Sequence, residues 1–490
     1  MENRTIVYYL YNTKASKTNQ MNMQLRILHH ALRCVTAYKF IIILLLFGVN
    51  LVYAEKNTSY IYPPWKHTLG ITRATPFKLR LFIGNKTKFD DPQGVACVRL
   101  ISWEDSTTKS DDDEVTVYGV NSGDNCIVYN KSMLGLKVYG LDADHIRFNR
   151  PWGIAADEHG NVYVTDRGNS RVVHLKNSGK NLEFSTIIGG HGDEPGMFID
   201  PRGVALGSHG KVYVSDAATG LISIFSENGE ILQSWDGFIE PDGIAVIGPN
   251  ERWSYRKKNA FIIVLDSLHQ RINKISFEGE ILASVSAHEF NIDDPYFAFV
   301  TIDYHSQILV TDRNNSCIHK FDSDLNFITS FGEEGKKDYQ FDQPRGITNY
   351  RKFGQTFVLE RAGAQYFWVG VDINYLNSKV RNETGWRDLE IDFELTEPAL
   401  CQFDILDSYG RLIAKAMKNR RYPVGKTHLS WALRIPSGGS VNDSNEQLPS
   451  KLKKGSPFPP GEYVLQGRFK ALYSSREFFE REIKTNFTIE

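Results

Sequence analysis

Cysteine is scarce: five in 490 residues, none in a Cys-x-x-Cys or other metal-ligand spacing. This excludes a disulfide-dense scaffold and leaves no sequence case for a zinc site. Charge of one sign is lacking too. The net charge is −1, and residues 1–54 carry six Lys/Arg and one acid, which leaves 51 basic against 57 acidic residues in the remainder. Without a basic footprint there is no electrostatic case for nucleic acid. Long apolar runs are nearly absent. The one that stands out, Phe40–Val49, is shorter than the ~20 residues that span a bilayer. Arg26, Arg33 and Lys39 precede it and Val52-Tyr53-Ala54 follows. That order predicts an export signal over 1–54, with retention as an uncleaved anchor as the alternative, an exported chain (periplasmic, cell-surface or extracellular) and no membrane span after cleavage.

What is present is a repeat. Pro92, Pro151, Pro201, Pro241, Pro295 and Pro344 each open a short apolar strand, at intervals of 59, 50, 40, 54 and 49 residues. The clearest copy reads Pro151-Trp152-Gly153-Ile154-Ala155, then Val162-Tyr163-Val164-Thr165-Asp166, then Asn169-Ser170-Arg171-Val172-Val173. A period of this size matches one four-stranded propeller blade. An acid ends the second strand in four copies (Asp166, Asp216, Asp266, Asp312), with Asn121 and Glu360 in the first and last. A short acceptor there can bond the amides of its own turn. Arg171 and Arg271 follow five residues later as ion-pair partners, so these six residues are read as structural.

The pattern resembles the NHL repeat over about residues 79–373. The resemblance implies an all-β fold, a six-bladed β-propeller over 79–374 preceded by an N-terminal segment at 55–78. Leu79–Gly84 reads like the exit strand of a blade and is expected to complete the last one. Residues 375–490 change character. Alternating strands such as Leu389–Leu395 and Gln402–Asp407, with Ser408-Tyr409-Gly410-Arg411 and Pro459-Pro460-Gly461-Glu462-Tyr463, predict a small β-sandwich. The motif order resembles the Ig-like domain of the flagellar hook-cap type (FlgD-like), although Ala432-Leu433 replaces that family's Asp-Gly and Pro436–Pro460 is an enlarged polar loop.

Enzymes of related propellers need pore ligands. The amidating lyase that resembles NHL propellers uses inner-strand histidines on zinc, and calcium-dependent lactonases use inward Glu and Asn. The residues after the repeat prolines are Gln93, Trp152, Arg202, Asp242, Tyr296 and Arg345, with no histidine, so no catalytic residue, metal or cofactor is assigned. This aromatic and charged ring, opening the innermost strands at one channel mouth, is the candidate binding surface. His159, His209 and His305 read as turn residues. The acidic stretch Glu104–Glu114 reads as a solvated loop, and Arg252–Lys258 as a possible partner contact. Cys97 and Cys126 share one copy and form the candidate disulfide; Cys401 is expected buried and free. The resulting expectation is an exported, non-enzymatic binding or scaffold protein whose propeller recognises a protein, peptide or glycan. The alternative is a metal-dependent hydrolase or lyase acting in the channel, lactonase-like or amidating-lyase-like.

Overall fold

The computed structural model describes residues 60–63, 71–103, 115–132, 135–141, 146–179, 181–255, 258–266, 268–383, 386–434, 455–472 and 480–490. The segment 1–54 read as an export signal, the acidic stretch 104–114 and most of the loop 436–460 lie outside these residues. Among the described residues no helix is long and apolar enough to cross a membrane.

The fold is all-β and of propeller type. Among the described residues, six antiparallel sheets follow one another. Their first strands are Pro92–Val98, Pro151–Ala156, Pro201–Leu206, Ile244–Ile247, Phe297–Ile302 and Ile347–Tyr350. Each touches the next, and the last touches the first, so the strands close a ring. Strands buried on both faces, such as Phe261–Asp266 and Asn161–Asp166, carry the uninterrupted apolar runs that suit sheets stacked between neighbours. The residue before the repeat Asp joins sheet to sheet: Thr165 Oγ1 donates to the Arg202 carbonyl at 2.7 Å and Thr311 Oγ1 to the Arg345 carbonyl at 2.7 Å. Ser215 does the same to the Asp242 carbonyl. Close approach at these joins requires glycine: a Cβ on Gly153 would lie 2.3 Å from the Arg202 carbonyl oxygen.

The last sheet is completed from the N-terminus, but not by Leu79–Gly84. Strands Tyr60–Ile61 and Arg73–Ala74 both pair with Gly363–Val369. Tyr60, fully buried, packs among Phe331, Tyr339, Phe341 and Phe367. Residues Pro76–Ile83 instead form a helix. Thr75 caps it by accepting from Lys78 N at 3.3 Å, Pro76 starts it, and Leu79 and Ile83 bury one face. A proline just inside a Thr cap, with apolar residues four apart, is a helix-start signal that outweighs local strand-like composition.

Beyond the ring, two further sheets pack together, Ile373–Glu383, Trp386–Leu395 and Gly425–Ala432 in one, and Leu412–Tyr422, Ala399–Asp407, Gly461–Ala471 and Glu480–Ile489 in the other. Alternate residues of facing strands, Leu389, Ile391 and Phe393 against Cys401, Phe403, Ile405 and Phe469, make the core.

Candidate functional site

The ring encloses a central channel whose two ends differ. At the proline end the predicted residues converge, and most are drawn inward. Gln93, Trp152, Asp242 and Arg345 are buried, while Arg202 and Tyr296 are half-buried. Trp152 comes from the second sheet and Asp242 precedes the fourth, so the Trp152 Nε1 to Asp242 Oδ1 bond of 3.2 Å crosses the ring. Arg202 donates to the other Asp242 oxygen at 3.3 Å and to Asp200 at 3.0 Å. Arg345 bonds Asp91 and the Pro92 carbonyl rather than this cluster.

Sequence reading missed four residues of the site. His269 stacks on Tyr296 with ring centroids 3.9 Å apart, its Nδ1 3.5 Å from Asp242 Oδ2. Arg313 lies over the Tyr296 ring at 5.4 Å and Arg167 over the Trp152 ring at 4.9 Å. Asp200 pairs with Arg167 and Arg202. A signal existed for the arginines, since each directly follows a repeat Asp (Asp166-Arg167, Asp312-Arg313). None existed for His269: it reaches the mouth because Leu268 and His269 both take positive φ, 59° and 67°, a turn geometry that no periodicity announces.

Electrostatics follow from burial. Desolvation raises the Asp242 pKa above the usual carboxylate range, against the lowering effect of Arg202 and His269. Desolvation lowers that of His269, partly offset by Asp242, so its imidazole stays neutral over a wider pH range than a free histidine. The donor set does not suit a divalent cation: the Asp242 oxygens already accept from an indole and a guanidinium, and its neighbours are cationic.

At the opposite end the channel is open, with a cavity of about 1040 Å³ lined by residues including Glu158, His159, Arg252, Trp253 and Arg351. Arg252 stacks on Trp253 at 4.9 Å and reaches Glu158 at 3.5 Å. Tyr255 is exposed. His209 and His305 occupy turns at this end, the latter buried against Tyr255 and Tyr304.

The repeat acids sit where strand meets turn. Asp166 accepts from Asn149 N at 2.7 Å and from Arg171 at 2.8 Å; Asp216 accepts from Ile199 N at 2.6 Å; Asp266 pairs with Arg271 at 2.7 Å. Asp312 pairs instead with His319 at 3.0 Å. The candidate disulfide does not form. Cys97 and Cys126 are free thiols: Cys97 faces Thr348 on a first strand, and Cys126 faces Thr87 from a third strand. The spacing put them in one sheet without bringing them together.

The NHL repeat profile matches residues 148–175. No curated protein matches. Among solved structures, virginiamycin B lyase from Staphylococcus aureus is 12% identical, covering 58% of this chain and 97% of its own, with a TM-score of 0.40. A gluconolactonase from Xanthomonas campestris is 12% identical, covering 65% and 99%, with a TM-score of 0.41. A luciferin-regenerating enzyme is 11% identical, covering 60% and 94%, with a TM-score of 0.39. All three bear the names of enzymes, and the expectation of a non-enzymatic binding or scaffold protein is withdrawn; at TM-scores near 0.4 they assign no activity to this chain. Which reaction suits this chain is a question for its own residues.

Proposed function

We propose that the chain is a hydrolase or lyase acting at the proline end of its channel on a small, anionic substrate. The observation that supports this is the pairing of His269 with buried Asp242 beneath an arginine-lined mouth. Asp242 Oδ2 lies 3.5 Å from His269 Nδ1, so the carboxylate stabilises the positive charge the imidazole gains when it takes up a proton. Half-buried Arg167, Arg202 and Arg313 supply positive charge for a substrate carboxylate or a developing oxyanion. Tyr296, stacked on the imidazole, fixes the ring's orientation. No step is routed through a metal. The reading includes the finer architecture, a six-bladed propeller followed by an Ig-type module of FlgD-like pattern, and export by the segment 1–54.

The test is turnover of a panel of lactones, esters and β-eliminating carboxylates by purified protein. His269→Ala is expected to lower kcat by about a hundredfold or more, the scale of general acid–base catalysis, while the variant stays folded by circular dichroism. Because burial lowers the His269 pKa, the acid limb of kcat/KM should fall below the ordinary histidine range of about 6.5. Full activity in His269→Ala would end the proposal.

A further inference from the structure

Sheet five departs from the second and fourth at the slot facing its repeat acid. In the second and fourth sheets the cation facing the repeat acid is an arginine, Arg171 on Asp166 and Arg271 on Asp266. In the fifth, Cys317 occupies that slot, directly opposite Asp312 in the strand register. His319, two residues on and thus on the same face, takes the contact with the carboxylate. The three side chains are buried, and their donor atoms lie within 4.8 Å of one another. His319 Nε2 is 3.0 Å from Asp312 Oδ2 and 3.6 Å from Cys317 Sγ.

We propose that Asp312, Cys317 and His319 form a binding site for a thiophilic divalent metal of the zinc class. Thiolate, imidazole and carboxylate are the donors zinc takes, and bonds of about 2.0–2.3 Å in a tetrahedron place neighbouring donors about 3.3–3.8 Å apart. The site is close to that spacing before any ion enters. The carboxylate divides its work. Oδ1 accepts the Tyr296, Asn314 and Asn315 amides, while Oδ2 faces the imidazole and the Asn315 side chain. A metal would engage Oδ2 and leave the turn intact. Ser330 Oγ lies 2.6 Å from His319 Nδ1. A ligating imidazole needs such a partner to hold Nδ1–H and present Nε2. Binding releases the Cys317 thiol proton to solvent, while the single proton of the neutral imidazole resides on Nδ1 against Ser330 Oγ and leaves the Nε2 lone pair for the metal. Asn314 and Asn315, in the turn that follows Asp312, are exposed.

The first sheet is an internal control. Cys126 stands in the same slot, but Asn121 replaces the acid and Val128 the histidine, and the thiol contacts Asn121 and Thr87. A cysteine in this slot therefore does not by itself create the cluster.

The test uses metal-stripped full-length protein titrated with cobalt(II), then zinc(II). One equivalent of cobalt should give a thiolate-to-cobalt charge-transfer band that zinc abolishes. Cys317→Ser should remove the band, Cys126→Ser should leave it unchanged, and Ser330→Ala should weaken cobalt affinity by about tenfold or more. Circular dichroism of each variant separates loss of the site from loss of fold. A folded wild-type protein without the band, or a band that survives in Cys317→Ser, overturns the proposal.

Discussion

The second and fifth sheets are two copies of one design, and they share several bonds that involve backbone. Asp157 Oδ1 accepts the amides of His159 and Asn161 at 3.0 and 2.9 Å; Asp303 Oδ1 accepts those of His305 and Gln307, both at 2.8 Å. Thr165 and Thr311 make the same hydroxyl bond to the next sheet. Their side-chain partners diverge. His174 stacks on Tyr163 and reaches Asn161. Lys320, at the equivalent register position, is buried and bonds Glu397 of the C-terminal module at 2.6 Å. The Gln307 side chain also donates to the Thr396 carbonyl at 3.1 Å. The repeat therefore specifies the turns, whereas what covers a sheet decides its side-chain chemistry.

The largest expected effect tests that cover. Lys320 and Glu397 are both essentially inaccessible to solvent. Breaking a buried pair by removing one partner costs about 3–5 kcal/mol, because a charge is left stranded. Glu397→Ala should lose that much in denaturant unfolding. Lys320→Met combined with Glu397→Leu should recover most of it, since apolar replacement removes both desolvation penalties. A single-variant loss below about 1 kcal/mol, the range of exposed pairs, would mean that the module does not seal this position.

Much of the ring was legible because its signals are local. Proline, glycine and a strand-ending acid recur with the chain period, and each fixes backbone. The closing strands were not, since Tyr60–Ile61 and Arg73–Ala74 are two residues long each and carry no pattern; their pairing is decided by burial of Tyr60 among distant rings. The site was legible in part. Position after the repeat proline brought Trp152, Arg202, Asp242 and Tyr296 together, but the decisive neighbour, His269, depends on a left-handed turn. Nor did cysteine spacing along the chain reveal Asp312, Cys317 and His319, whose proximity arises from pairing between adjacent strands.

A smaller effect separates the two copies by pH. Burial pushes the Asp303 pKa up to about 7, with Lys320 opposing and Glu397 reinforcing the rise. The half-buried Asp157 has no such cover. The unfolded chain releases the Asp303 proton near its ordinary value of about 4, while the folded chain keeps it. Stability from this group is therefore full below about pH 4 and is lost as pH rises towards about 7. Asp303→Asn retains an acceptor for the two amides and removes the titration, so its melting temperature should decline less across that window than the wild type's. Identical slopes would show that the carboxylate ionises freely in the fold.

The smallest effect is expected at the equivalent histidines. His159 is exposed at its turn, and the turn's bonds run through its backbone amide rather than its ring. His305 occupies the same step of the fifth sheet but is buried, its ring 5.5 Å from that of Tyr255 and 5.1 Å from that of Tyr304. Any residue can supply the amide, so His159→Ala should fall within about 0.5 kcal/mol of wild type, as surface changes do. His305→Ala removes packed aromatic contacts and should cost about 1 kcal/mol or more. The two substitutions remove the same atoms from the same repeat position, so their difference measures cover alone. Equal losses by thermal or denaturant unfolding would place the cost in the turn itself and erase the distinction between the two copies.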